Sequence, residues 1–298
     1  MNTGLNTYAK IIYSQWGEDG ILEEIFNRIG TKNKFCVEFG AGNGFEASNV
    51  WHLIEAKGWG ALLMDGDLSR LNVWKNLTKD MPRVTLLNTF VDIKGEHSLD
   101  SLLTKQKTPK ELDLLSIDID SNDYHILESL KHFTPRVLII EHNPTIPPVD
   151  VVYQAPDEEE TFGSSVQANV DLAHKKGYKL VAMTHTNSIF VAESEFAKMG
   201  IEEPSIEEVF DWEGLSYVVS AYNGSIYLRN KKNTDKNPSY AWLFKGYTIR
   251  LFKNAVRAFT FGFTFNRPYS KSLSAHYQPM KAFKVHSPAS PKASPKKK

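Results

Sequence analysis

Phe35-Cys36-Val37-Glu38-Phe39-Gly40-Ala41-Gly42-Asn43-Gly44 reads as a short apolar strand running straight into a glycine-rich turn. Glycine reaches backbone angles that a side chain would obstruct, so such a turn can bend tightly and bring main chain close to a ligand. A helical stretch over residues 46–57 follows, and strand, turn and helix in that order open a βαβ unit. Working outward, apolar strands are expected at 61–64, 84–91, 112–117 and 137–140, separated by helices at 68–77, 99–105 and 123–132. Runs such as Val137-Leu138-Ile139-Ile140 suit strands covered on both faces, as in a parallel sheet. Upstream, residues 14–29 carry Ile21, Leu22, Ile25, Phe26 and Ile29 at helical spacing and stop at Gly30. Downstream, a proline-rich loop of about twenty residues after Asn143 is of the kind that serves as a lid or substrate loop. A helix over 165–176 and two strands at 178–183 and 188–192, joined by a polar turn, give an antiparallel finish. A last helix and hairpin are expected within 204–229, with Asn223-Gly224 as the turn.

An acid on the first strand, Glu38, stands two residues before Gly40. Asp65 ends the next strand, where a carboxylate can accept both hydroxyls of a ribose; Asp67 competes for that role. The dinucleotide pattern G-x-G-x-x-G is not met, because the third glycine arrives one residue early. A carboxylate at position 38 suits the ammonium of a methionine moiety better than a pyrophosphate, so S-adenosylmethionine is the expected cofactor and NAD the rival.

Four segments in order resemble the FkbM-like methyltransferases of the Rossmann-like class I group. They are Ser14-Gln15-Trp16-Gly17-Glu18-Asp19-Gly20, Val37 to Gly44, Asp113-Leu114-Leu115-Ser116-Ile117-Asp118-Ile119-Asp120, and Gly177-Tyr178 with the strand pair ending Ile189-Phe190-Val191. The resemblance spans about residues 13–191. It implies a Rossmann-like α/β fold: a seven-stranded, mostly parallel sheet with helices on both faces and one antiparallel strand near its edge. It further implies cofactor at the C-terminal strand ends, with Glu38, Gly40, Gly42 and Gly44 at the methionine end and Asp65 at the ribose. Asp92 is a weaker candidate for the adenine amine. It also points to O-methylation of a sugar or glycoconjugate. Asp118-Ile119-Asp120-Ser121-Asn122-Asp123 is more acidic than the Asp-Val-Glu-Gly pattern associated with that family, which leaves subfamily and acceptor open.

Asp118 and Asp120 end the fourth strand, and Glu141, His142 and Asn143 end the fifth; in a parallel sheet both ends open on the ligand side. This spacing resembles that of divalent-metal O-methyltransferases. Asp118, Asp120, Glu141 and Asn143 (or His142) therefore form a candidate site for Mg²⁺ or Mn²⁺, hard cations that favour oxygen and would activate a hydroxyl. In the competing reading His142 is a general base and no metal is needed, since imidazole titrates near neutrality. Asn122 and Asp123 suit helix capping. Gln15, Glu18 and Asp19 either cap the following helix or help close the cofactor pocket. Trp16, Trp51 and Trp59 are expected in the core, and His125 on an exposed helix face.

The chain has 298 residues, 41% of them apolar, enough for one large domain and an appendage. Its single cysteine, Cys36, excludes a disulfide framework and a thiolate metal site. With no secretory or membrane-spanning run visible, a cytoplasmic location is expected. Zero net charge hides an asymmetry: of 35 basic and 35 acidic residues, 15 bases but only the acid Asp235 follow Asn230. Residues 1–230 thus carry 20 bases against 34 acids, net −14, and the remainder +14. We read 1–230 as the methyltransferase domain, 231–284 as a basic aromatic extension, and 285–298 as a disordered Lys/Ser/Pro tail. Between 240 and 265, four basic residues gather on one side of a helical wheel and aromatic residues lie opposite. Such a helix fits the surface of an anionic membrane or docks on the acidic domain; nucleic acid ranks below both. Two competing functions stand beside methyl transfer to a small-molecule or glycan acceptor. One is a non-catalytic adaptor acting through its basic end, the other an NAD-dependent sugar enzyme.

Overall fold

The computed structural model describes residues 4–40, 47–156 and 161–212, together with the backbone of 216–220 and 226–230. The chain divides into two compact units, Met1–Ser216 and Tyr217–Lys298. In order along the chain lie α1 (Glu18–Ile29), β1 (Phe35–Phe39), α2 (Trp51–Lys57), β2 (Gly60–Asp65), α3 (Leu68–Thr78) and β3 (Val84–Asn88). Then come α4 (Leu99–Lys105), β4 (Leu114–Ile117), α5 (Asp123–Ser129), β5 (Val137–Glu141), α6 (Val166–Lys175), β6 (Tyr178–Met183), β7 (Asn187–Ala192), α7 (Glu193–Phe196) and α8 (Ile206–Val209). Two further strands, β8 (Ser216–Ser220) and β9 (Ile226–Asn230), form a separate two-stranded sheet. The expected turn at Asn223-Gly224, the basic aromatic extension and the tail lie outside the described residues, and with them the expected membrane-surface helix. Among the described residues no helix is long and apolar enough to cross a membrane.

The main sheet has seven strands in the order β3-β2-β1-β4-β5-β7-β6. β1 to β5 pair in parallel, and β7 runs antiparallel to both β5 and β6. This is the Rossmann-like α/β architecture expected from the sequence. The chain reverses direction across the sheet at β1, so β1 and its neighbour β4 flank the crevice where ligands of such sheets bind.

Both faces of the sheet are covered at its central strands, which is why those strands are apolar almost throughout, while the edge strand β3 is partly exposed. Cys36, Leu63, Leu114, Ile139 and Ile189 point into one cluster with Ile21, Leu22 and Ile25 of α1 and Ile54 of α2. The alternate residues Val37, Leu62, Leu115, Leu138 and Phe190 are equally buried. Each such side chain removed from water contributes about 1.5–3 kcal/mol before entropy is set against it. Trp59 meets Phe26 edge-on at 4.7 Å and Trp51 meets Trp74 at 5.1 Å, so two of the three tryptophans assigned to the core are there. Trp16 is not; it is 41% exposed.

Several boundaries differ from expectation, among them the end of α5, at Ser129 rather than 132, and the start of β4, at Leu114 rather than 112; three others show their cause. α1 starts at Glu18 rather than near Ser14, and Ser14 meets it from outside: its hydroxyl donates to the Asp19 carboxylate and accepts from Asp19 N–H in the first turn. α2 starts at Trp51, after Ala47 in the left-handed region at φ 69°. β3 stops at Asn88, where the chain bends so that Thr89 N–H reaches the Asp65 carbonyl. The loop after Asn143 is tied down at its base. Tyr153 stacks on Tyr124 at 4.1 Å, and Gln154 accepts from Phe162 and Gly163 N–H through its side chain. His125, expected to be exposed, is buried and bonds the Gln154 carbonyl.

Candidate active site at the C-terminal strand ends

Strand register brings the predicted residues to one edge. Phe39 pairs with Met64 and with Ile117, and Ile117 pairs with Ile140. The next residues along these strands, Gly40, Asp65, Asp118 and Glu141, therefore line up side by side. Gly40 has φ +80°, and a Cβ there would sit 1.5 Å from the Asp118 carbonyl oxygen. Only glycine fits. Gly42 and Gly44 lie outside the described residues.

Glu38 is 2% exposed, and its two oxygens accept from Ser48 Oγ (2.7 Å) and Asn49 N–H (2.8 Å). It thereby holds the entry to α2 against β1. Burial pushes its carboxyl up to about 7 against those two hydrogen bonds, helped by the charges of Asp19 and Glu18.

Asp65 and Asp67 part company. Asp67 Oδ1 accepts from Ser69 N–H and Oγ and caps α3, an ordinary structural use of the pattern Asp-Leu-Ser. Asp65 Oδ1 accepts from Asp67 N–H, but its Oδ2 is buried with no hydrogen-bond partner, Arg70 standing off at 3.6 Å. A buried carboxylate oxygen left open is costly unless a ligand completes it. Asp92 is exposed and its Oδ1 accepts from Ile93 N–H.

Beyond Gly40 lies a basin of acids. The Asp118 carboxyl is held well above the carboxylate range by burial first, then by Asp123, Glu38, Asp120 and Glu18. Glu141 is pushed up to about 10 by burial and by Asp118, Asp123 and Asp120, although it accepts from Asp120 N–H at 2.8 Å. Asp123, raised by burial to about 6, accepts from Ile119 and Ser121 N–H and shapes the loop before α5 rather than capping the helix. Asp120 sits in the left-handed region at φ 59°.

The acids do not assemble into the expected metal set. Among the described residues no three His, Cys, Asp or Glu side chains are placed to hold a metal ion. Glu141 is engaged by Asp120 N–H. The Asn143 amide is spent on the Phe162 carbonyl and on Thr145 N–H and Oγ1. His142 turns away from Glu141, as successive residues along a strand do. It is 1% exposed, its Nδ1 meets Ser188 Oγ at 3.0 Å, and its Nε2 is buried without a hydrogen-bond partner. Burial and the nearby His185 push it down to about 3, so it is neutral at pH 7.

The Ser14 to Gly20 motif packs onto this edge. Asp19 Oδ2 gathers the N–H groups of Ile12, Tyr13 and Ser14 and the Ser14 hydroxyl. Tyr13 in turn accepts from Ala47 N–H just past the glycine turn. Glu18 is fully buried; its Oε2 accepts from Trp16 N–H, and its Oε1 from Thr184 Oγ1 and Asn187 Nδ2. Asn187 is the register partner of Glu141. The turn between β6 and β7 thus joins the same edge and brings a histidine that sequence reading passed over, paired with an acid that follows α8. His185 Nδ1 lies 2.8 Å from Asp211 Oδ2, and Trp16 packs 4.7 Å from the imidazole ring.

A thermal measurement checks the acid basin. Glu141 has its folded pKa raised above the usual 4.3 or so, so the stability it allows is full below that pH and falls as pH rises toward 10. Glu141→Gln keeps an acceptor for Asp120 N–H. It is expected to raise Tm at pH 8 and to change it little at pH 4.

No family model matches the chain, and no curated protein matches it. Solved structures resemble parts of it. The citrinin polyketide synthase CMeT domain is 15% identical over 59% of this chain, with a TM-score of 0.39. The chain spans 51% of that domain's length. The N-terminal domain of EvdMO1, solved with SAH bound, is 12% identical over 58% of this chain and 79% of its own, at 0.38. A SAM-dependent methyltransferase from Aquifex aeolicus is 12% identical over 57% and 88%, at 0.36. The fold assignment rests on the strand order itself.

Proposed function

We propose that this chain is an S-adenosylmethionine-dependent methyltransferase that methylates a hydroxyl. The observation that carries the reading is the acid basin beside Gly40. Burial and mutual repulsion hold Glu38, Asp118 and Glu141 above their ordinary range. A cationic ligand favours the charged form of these carboxyls and draws their pKa values back down, whereas the pyrophosphate of NAD drives them further up. The seven-stranded sheet with one antiparallel strand, β7, near its edge agrees with what the FkbM-like resemblance implies, a layout that resemblance shares with the wider class I group. That resemblance favours a sugar or glycoconjugate acceptor.

S-adenosylmethionine supplies a methyl group on a positively charged sulfur. In this reading Asp65 Oδ2, the open buried oxygen, accepts from a ribose hydroxyl. Gly40 lets the main chain approach, and Glu38 holds the turn and α2 in place. The neighbouring acids favour the cation.

Calorimetric titration with S-adenosylhomocysteine and, separately, NAD tests the cofactor. Micromolar binding of the first and none of the second is expected, unchanged by added Mg²⁺ or Mn²⁺. Asp65→Asn is expected to weaken binding by about 10- to 100-fold, the worth of a hydrogen bond to a charged group. No binding of S-adenosylhomocysteine to folded protein would return the chain to the adaptor reading.

A further inference from the structure

We propose that His185, oriented by Asp211 and flanked by Trp16, is the catalytic base that takes the proton of the acceptor hydroxyl. This rests on the methyl-transfer reading and adds to it the residue and the acceptor-side surface.

Three observations converge on it. First, place: β6 runs parallel to β5, so the turn after Met183 lies at the same C-terminal edge as Gly40, Asp65 and Asp118. His142 N–H donates to the Thr186 carbonyl, Asn187 is in register with Glu141, and Thr184 and Asn187 both bond Glu18. The Glu18 charge in turn bears on Glu38 and Asp118. Second, tautomer: a carboxylate can only accept, so Asp211 fixes the proton of neutral His185 on Nδ1 and leaves the lone pair on Nε2. Nε2 has no hydrogen bond among the described residues, and the side chain is 25% exposed. Third, surroundings: the Trp16 indole is 41% exposed beside the imidazole and offers an apolar face on which a sugar or other ring can lie. The other histidine of this edge, His142, is sealed off.

The step balances. The acceptor O–H bond breaks as its oxygen bonds the methyl carbon, and the carbon–sulfur pair stays on sulfur. The proton goes to His185 Nε2. Positive charge passes from the sulfonium to an imidazolium that Asp211 holds. Imidazole suits the task because it titrates near the working pH.

The test needs no acceptor. The full chain, labelled with ¹⁵N-histidine, is titrated by NMR with either S-adenosylhomocysteine or sinefungin bound. Sinefungin carries an amine, positively charged when protonated, where the sulfonium would stand. The ionisable groups set against His185 are Asp211 after α8 and His142 after β5, with Glu18 of α1 bonded to the flanking Thr184 and Asn187, and these are the same in both complexes. If His185 faces the reacting methyl, its pKa is lower with sinefungin by about one unit, as a unit charge some 8 Å away produces. A pair serving structure alone gives equal values. The signal is assigned by its loss in His185→Gln. Asp211→Asn is expected to lower the His185 pKa in both complexes while leaving sinefungin affinity within about twofold. Equal titration in the two complexes, or a neutral form protonated on Nε2, overturns the assignment and leaves the methyltransferase reading standing. Failure of either ligand to bind in calorimetry overturns both.

Discussion

Gly40→Ala is expected to lose cofactor binding altogether and to destabilise the main domain by about 2–6 kcal/mol. The methyl group would meet the Asp118 carbonyl at 1.5 Å, and that oxygen belongs to main chain at the end of a central strand. Neither β1 nor β4 can shift without breaking a register that runs from Cys36–Leu114 to Phe39–Ile117. To the clash is added the strain of φ +80° for a residue bearing Cβ. Overpacking costs about 1–3 kcal/mol and an unfavourable backbone conformation a similar amount. Urea unfolding followed by tryptophan fluorescence gives the stability. Calorimetry with S-adenosylhomocysteine gives the binding. A variant with wild-type stability would mean that the β1–β4 crevice is wider than described.

Arg136→Met is expected to cost about 3–5 kcal/mol at pH 7, the usual result of removing one partner from a buried ionic network. Arg136 is 4% exposed. It bonds Asp113 at 2.6 Å, Glu195 at 2.9 Å and the carbonyls of Ile29 and Gly30. One side chain thus ties the end of α1 to β4 and α7. Without it the fully buried Asp113 keeps the N–H groups of Lys32, Asn33 and Lys34 but loses its cation. The pH dependence follows from Glu195, whose pKa is held down to about 2, first by its hydrogen bond to Arg136. A depressed carboxyl contributes stability above its unfolded pKa, near 4.3, and loses it as pH falls toward 2. The difference between wild type and variant is therefore expected to shrink between pH 5 and pH 2. Chemical denaturation across that range shows it; a constant difference would assign the loss to packing alone.

The sheet was legible because its strands are covered twice. Covered strands must be apolar throughout, and runs such as Val137 to Ile140 stand out against any helical period. Asp65 was legible as the acid closing β2, and the choice against Asp67 was latent in Ser69, two residues on, which makes Asp67 a cap. Other features depend on contacts between residues far apart in the chain. Ser14 looks like the residue at which the helix begins, yet its hydroxyl reaches Asp19 N–H and carboxylate across a loop, and the helix begins only at Glu18. Trp16 looks like core until the segment around it proves to lie over an open edge. His125 reads as exposed on helical period alone, because the loop that buries it arrives almost thirty residues later. His185 sat in what read as a polar turn, and nothing local marks it, since Asp211 is 26 residues away. His142 drew notice for its place after a strand, but strand alternation turned it from the acids.

The position of β7 has a consequence for synthesis. β6 leaves the ribosome before β7, yet β7 lies between β6 and β5 in the finished sheet. A nascent chain that ends before Asn187 has the pairing edge of β5 open, and β6 has no strand to join. It also leaves the Glu18 carboxylate, made some 170 residues earlier, without the Asn187 amide that donates to it. Such an edge is a template for pairing with other chains. The emerging protein is thus most exposed to aggregation just before the hairpin closes, and the same hairpin that completes the edge holding the candidate site also ends that exposure.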